Sequence, residues 1–350
     1  MSKQENIKKA IICKGLGKYT VSTHLNKTYI AKAGDVAIFK VISIGKHKAI
    51  QGDTGSNRYI FPGDYIMAAF GNRYATNQFE GYVPTEVMDQ YQILGQGGCI
   101  GVLKSCHAKL EDVGATELKL VGFATNEDKQ VINTQYLHED ETTFNPDKPR
   151  EYKVILSVGS SMDSGKTTSA AYLCRGLKNA GNKVAFIKLT GTVFSKDKRF
   201  VRDCGADKAV DFSNLGFPST YMYNLDQVLN IYEGLLNKVA TINPDYVVVE
   251  IADGLLQRET NLLLHNKEFL STVDDILLSC GDSLGVLSGI SYLTKLNFRP
   301  FGISGLLNAS PLLLAETRMS TQIPVLNLED LMSKNIVKHL SNQNLKKISA

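Results

Sequence analysis

The chain has 350 residues, of which 43% are hydrophobic and 21% charged, enough for a sizeable buried core and for two domains rather than one. No run approaches the roughly 18 apolar residues that a membrane helix needs, and the opening MSKQENIKKA lacks the apolar core of a secretory signal, so a cytoplasmic protein with no membrane partner is expected. The net charge of +4 is small, and six cysteines without CxxC spacing favour neither a disulfide framework nor a zinc site, with Cys99, Cys106 and His107 the only loose cluster.

Residues 1–50 carry ten Lys against Glu5 and Asp35. No aromatic and Arg stacking pattern interleaves with them, so a solvated face is expected there rather than a nucleic-acid site. Residues 10–137 read as β-rich: the runs Val36–Ile44, Tyr65–Phe70 and Leu118–Phe123 are separated by turn signals such as Gly34-Asp35, Gly52-Asp53 and Gly63-Asp64. A small barrel or compact sandwich suits such strands. The stretch from Gly63 to Pro84 is rich in polar and aromatic side chains. Asn72, Arg73, Tyr74 and Gln78 are candidates there either to cap a substrate pocket or to hydrogen-bond a turn.

Residues 138–152, HEDETTFNPDKPREY, are charged, contain two prolines and have almost no aliphatic side chains, so they are expected to link a domain at 1–137 to one at 153–350. Beyond them near-continuous apolar runs alternate with helical periods. Val154–Val158, Val184–Leu189, Tyr246–Ile251, Asp275–Cys280 and Pro300–Leu307 predict strands of a buried parallel sheet. Ala170, Leu173, Cys174 and Leu177 fall at i, i+3, i+4 and i+7, one face of a helix. The fold class expected is therefore α/β, a doubly wound, mostly parallel domain preceded by a smaller β-rich, barrel-like domain; the loop Gly159–Thr168 with Gly165-Lys166-Thr167 after its first strand makes the former a P-loop NTPase domain.

The first of these strands runs into Gly159-Ser160-Ser161-Met162-Asp163-Ser164-Gly165-Lys166-Thr167-Thr168 and then into that helix. Small residues let backbone N–H groups point inward at phosphates, and the helix N-terminus adds its positive end. Lys166 would bridge the terminal phosphates and Thr167 would offer its hydroxyl to Mg. Lys188 ends the second strand and is a candidate to neutralise transferred charge or hold an acidic substrate. Glu250, at the end of a buried strand, is the candidate second Mg contact. A third acid is expected within 195–211; Asp203 is preferred on spacing, with Asp207 next. Arg199, Arg202 and Arg258 are unranked phosphate clamps, and the six histidines form no spaced set, so no general base is assigned.

Five residues separate Gly159 from Gly165, with Asp163 two places before the second glycine. This loop resembles those of dethiobiotin synthetase and the cobyric acid synthases. Further motifs follow in the same order over about residues 153–330: Lys188 with Gly191 and Thr192; Glu250-Ile-Ala-Asp-Gly-Leu-Leu; and Ser283–Gly289 with Ser304–Pro311. The resemblance implies that Glu250 helps bind Mg and substrate and that Asn308 contacts the nucleobase. Ile251 and Asp253 replace two glycines of the related loop and Leu189 replaces a proline, which argues against the biotin precursor as substrate.

Taken together, the expectation is a Mg-dependent ATP-binding enzyme, with GTP as the other candidate nucleotide, that activates a small molecule by phosphoryl transfer and forms a C–N bond. Lys166, Lys188 and Glu250 would be catalytic; Thr167, Asp203 and Glu250 would approach the metal. A homodimer is one assembly consistent with it. The alternative is a GTP- or ATP-binding adapter or switch that docks a partner protein through its β domain. Switches of the MinD and ParA type usually place a signature Lys early in the loop, and Ser160, Ser161 and Met162 include none; an adapter like the one in molybdopterin-guanine dinucleotide synthesis would favour GTP.

Overall fold

The computed structural model describes residues 7–137 and 142–340, and these pack into two units. One holds the chain up to 137 together with Gly191–Ser195 and Phe212–Met222; the other holds Thr142–Thr190, Lys196–Asp211 and the chain from Tyr223 onward. Of the segment expected to link two domains, 138–141 lies outside the described residues, as do 1–6 and 341–350 of the flanking domains.

The first unit is built on β1 (Ile7–Lys9), β2 (Thr20–Ser22), β3 (Val36–Ser43), the hairpin β4 (Ala49–Gln51) and β5 (Asn57–Tyr59), β6 (Tyr65–Phe70), β7 (Phe79–Tyr82), β8 (Gln90–Gly95), β9 (Cys99–Cys106) and β10 (Thr116–Thr125). Its main sheet runs in the order β1-β6-β3-β10-β8-β9-β7, with β2 on β10. β6 also pairs with β9 through Ala69 and Phe70, so the path β6-β3-β10-β8-β9 returns to its start. Inward-facing Phe39, Phe70, Tyr91 and Phe123 are fully or almost fully buried. Three of their contacts are edge-on and that between Phe70 and Phe123 is stacked, with centroids 5.0–6.0 Å apart. Each such ring buries on the order of 150–250 Å² and dominates a small core.

In the second unit six parallel strands are ordered β13-β12-β14-β11-β15-β16, from β11 (Lys153–Gly159), β12 (Val184–Lys188), β13 (Lys208–Asp211), β14 (Tyr246–Glu250), β15 (Asp275–Ser279) and β16 (Gly302–Ser304). The helices are α1 (Lys166–Asn179), α2 (Lys196–Asp203), α3 (Leu225–Ala240), α4 (Arg258–His265), α5 (Lys267–Ser271), α6 (Ser283–Lys295), α7 (Pro311–Ser320), α8 (Leu328–Met332) and α9 (Val337–Leu340). The central strands β11, β14 and β15 are buried along nearly their whole length, which is why they read as unbroken apolar runs. Ala170, Leu173, Cys174 and Leu177 of α1 are all fully buried in the core beside β11 and β14.

Two segments differ from the sequence pattern. The run Pro300–Leu307 yields only the three-residue β16, because Gly305 takes φ 115° and the Leu306 N–H turns to donate to Ser164 O at 2.9 Å. Residues 142–152 are fastened to α3 rather than free: the Phe144 N–H donates to Asn230 Oδ1 at 2.9 Å, and Lys148 and Arg150 pair with the buried Glu233 at 3.1 and 2.8 Å. No helix among the described residues is long and apolar enough to cross a membrane.

Candidate nucleotide-binding site

The loop between β11 and α1 is held open by its neighbours. Ser160 N–H donates to Ser279 O, and Leu255 N–H to Gly159 O, both at 2.9 Å. Gly165, at φ 93°, is the N-cap of α1 and supplies no capping side chain, so the first N–H groups of a 14-residue helix are left for another acceptor. Asp163 also sits in the left-handed region, at φ 60°. Two left-handed residues with one residue between them give this short loop the backbone type from which anion-binding concavities are built. Gly254, in the turn after β14, backs the loop so closely that a Cβ there would lie 2.6 Å from Ser160 O.

Lys166 is 6% exposed, and its Nζ donates to Ser161 O at 2.7 Å and to Ser164 Oγ at 3.4 Å. The ammonium thus folds over the loop it belongs to. Burial lowers its pKa from the ordinary value, while the charges of Glu250 and Asp253 act the other way. Thr167 Oγ1 donates to Glu250 Oε1 at 3.1 Å, joining the start of α1 to the end of β14, which lies directly beside β11. Glu250 is 1% exposed, and its Oε2 has no hydrogen-bond partner.

Lys188 Nζ lies 3.3 Å from Glu250 Oε1 and also pairs with Asp197. Burial disfavours the charge on Lys188, but Glu250 and Asp197 outweigh it and hold the ammonium's pKa above the ordinary lysine range. The acid that reaches this centre is Asp197, in the first turn of α2, and not Asp203 or Asp207. Asp203 is exposed at the far end of α2, six residues on and so about 240° around the helix. Asp207 is taken by Lys178 and by the Val184 N–H. Sequence spacing missed Asp197; a signal was present in its place as the first acid after the Lys188 strand.

Asn308 stands on the short 3₁₀ turn after β16, where its Nδ2 donates to Ser304 Oγ at 2.9 Å and Leu326 O at 3.2 Å and its Oδ1 has no donor. It lines an open pocket of about 470 Å³ that begins at the loop with Gly165 and Thr168 and is flanked by Leu314, Leu328 and Glu329. No motif in the sequence marks Glu329. Arg258 is engaged elsewhere, with Tyr223 O and Glu259. In the first unit Asn72 bonds Val83 N–H and Tyr221 O, and Arg73 bonds Gln78 and Leu94 O, so these groups brace a turn.

An Mg ion needs hard oxygen donors, and Thr167 Oγ1 with the donor-free Glu250 Oε2 fits that demand. Among the described residues no set of three or more His, Cys, Asp or Glu could hold a metal by itself, the Cys99, Cys106 and His107 cluster included.

A strand of a parallel sheet, a small-residue loop with a buried Lys, a helix opened by Lys-Thr and an acid at the end of the adjacent strand define this unit as a parallel α/β fold with a P-loop-type strand, loop and helix. No protein-family model matches the chain, and no curated protein matches it. Among solved structures it is similar to the signal recognition particle 54 kDa protein from Aeropyrum pernix K1 in complex with GDP, at 22% identity and a TM-score of 0.33, covering 46% of this chain and 37% of that one. It is also similar to the signal recognition particle receptor FtsY from Elizabethkingia anophelis in complex with GDP (14% identity, TM-score 0.35, 59% and 69% covered). A third is the hydrogenase maturation factor HypB from Archaeoglobus fulgidus (14%, 0.33, 51% and 83%).

Proposed function

We propose that this chain is a Mg-dependent P-loop NTPase that prefers GTP and works as a nucleotide-driven adapter or switch. One observation carries the nucleotide part: the buried Lys166 ammonium lies over the loop that opens α1, on Ser161 O and Ser164 Oγ, beside a Thr167–Glu250 pair whose second carboxylate oxygen has no donor. In this reading the loop amides and Lys166 hold the β- and γ-phosphates, and Thr167 and Glu250 hold the ion, Glu250 directly or through water. The bound metal supplies charge neutralisation at the phosphates. Lys188, released from Asp197, neutralises charge that builds on the terminal phosphoryl oxygens, and Asp197 remains to orient the attacking water. Water oxygen would bond to the γ-phosphorus as the bridging P–O bond breaks and as the water gives up a proton to the phosphate oxygens and thence to solvent, leaving the diphosphate and inorganic phosphate.

The preference for GTP is drawn from the pocket beside Gly165. Its polar lining is Thr168, Ser169, Asn308, Asn327 and Glu329; of these the Glu329 carboxylate is acceptor-only and Asn308 Oδ1 has no donor, and guanine presents adjacent N1–H and N2–H donors where adenine has an acceptor at N1. Competition of GTP and ATP for a fluorescent nucleotide checks this: GTP should win, and Glu329→Gln should narrow the gap by about tenfold. Equal displacement by both would remove the GTP assignment. Lys166→Ala should weaken Mg-nucleotide binding about 100-fold; affinity matching the unaltered chain would end the nucleotide reading.

What supports the adapter role is the course of the chain, which passes from Lys188 through Gly191–Ser195, part of the first unit, before reaching Asp197. Lys188 and Asp197, which pair with each other, therefore bracket along the chain a piece of the first unit. A second reading, the phosphoryl-activating C–N bond-forming enzyme, is supported by the place of Lys188 beside Glu250, where an acidic substrate could be held. Phosphate release stimulated by one carboxylate or amine metabolite would favour that enzyme, and stimulation only by a protein would favour the adapter.

A further inference from the structure

A second pocket lies wholly within the first unit and has different chemistry. Glu80 on β7 and Ser105 on β9 are cross-strand partners, and Ser105 Oγ donates to Glu80 Oε2 at 2.6 Å. Tyr82, two residues along the strand and so on the same face, donates its hydroxyl to Glu80 Oε1 at 2.6 Å. These two hydroxyls hold the carboxyl below the usual carboxylate range, so it is ionised at neutral pH.

Tyr221 closes the other side. Its ring stands 5.4 Å from that of Tyr74 at a tilt of 46°, and 5.9 Å from that of Tyr82 at 42°. Tyr74, Gln78, Glu80, Ser105, His107 and Tyr221 line an open pocket of about 280 Å³. His107 Nδ1 is already an acceptor for the Lys109 N–H. Among the described residues no Lys, Arg or His forms an ion pair with Glu80; Lys104, whose charge it feels, is exposed and is the extra residue of β9 where the register with β7 shifts.

A fixed negative charge without a cation, set against tyrosine faces, is the arrangement that attracts an organic cation, because the ring quadrupoles and the carboxylate act in the same sense. An anion would be repelled by Glu80, and a neutral apolar group would gain nothing from it. We propose that this pocket binds the ammonium head of a small alkylamine, with its carbon-bound hydrogens on Tyr74 and Tyr221 and its charge facing Glu80. The pocket's volume suits a compact head rather than a long chain.

The test is calorimetric titration of the full chain with choline and with its uncharged isostere 3,3-dimethylbutan-1-ol. Choline should bind saturably, and the alcohol about tenfold more weakly or not at all. Glu80→Gln should weaken choline about tenfold while leaving the thermal midpoint and Mg-nucleotide affinity unchanged, since it touches neither core nor loop. Tyr221→Phe should keep binding and Tyr221→Leu should lose it. Absence of saturable choline binding, equal affinity for the isostere, or an unaltered affinity in Glu80→Gln would each overturn the proposal. The first two comparisons need no variant, so a variant that fails to fold does not shelter it.

Discussion

His47 shows how burial sets the behaviour of a single residue. Its Nε2 faces Leu94 O at 3.2 Å and its ring lies edge-on to Phe79. Burial, then the nearby Arg73 charge, pushes its pKa from 6.5 down to about 4, with Lys46 adding to the same effect. Between these values the unfolded chain takes up a proton that the folded chain refuses, so this residue's contribution to stability is present above pH 6.5 and is lost as pH falls toward 4. Asp275 acts oppositely: burial and the Asp274 charge push its carboxyl up to about 7, and its contribution is lost as pH rises through that value. Urea midpoints of the wild-type chain and His47→Gln, taken across this range, separate the two: the wild type should lose stability between pH 6.5 and 4 more steeply than the variant. Parallel profiles would remove His47 from the acid response. None of this was legible in the sequence, where His47 is one of six scattered histidines.

At the scale of elements, the turn after β14 and the loop after β11 fit only as a pair. Gly254→Ala would set a Cβ 2.6 Å from Ser160 O and 2.9 Å from Ser161 Cα, both backbone atoms, so the loop after β11 itself must shift. The expected cost to stability is about 1–3 kcal/mol, accompanied by weaker nucleotide binding; a variant that binds nucleotide normally would show that the loop tolerates displacement. The strand-loop-helix motif around Lys166 was readable because local sequence determines each part of it: an apolar run, small residues, then a helical period. The acid beside Lys188 was not, because helix phase decides whether Asp197 or Asp203 turns inward, and the charged run 195–207 offers acids on several faces. β13 was missed for a similar reason: Lys208-Ala-Val-Asp is too short and too polar to signal a strand, and its pairing with β12 makes it one.

Across the whole molecule, the segment at 142–152 shows composition and packing pulling apart. Its charges and prolines suggest a link that buries no face, yet Lys148 and Arg150 converge on Glu233 of α3, which is 2% exposed. The Arg150 pair carries the weight, since Lys148 is 46% exposed and water screens it. Glu233→Ala would leave the Arg150 guanidinium, 9% exposed, without its carboxylate, at an expected cost of about 3 kcal/mol. A chemical melt checks this, and a change below about 1 kcal/mol would mean that the segment is held by Phe144 and its neighbours instead.

By itself the sequence determined what depends on neighbours along the chain: the parallel-sheet pattern, the strand, loop and helix that place Lys166 and Thr167, and Glu250 at a strand end. These follow from periodicity and from residue types that chemistry restricts. Only the tertiary structure decided which groups meet across strands and helices: Asp197 with Lys188, Asn308 with Glu329 at one pocket, Glu80 with three tyrosines at another, and Gly191–Ser195 and Phe212–Met222 as parts of the first unit. The physical reason is that helix phase, strand register and side-chain burial are fixed by packing over the whole core, and no local run of residues encodes them.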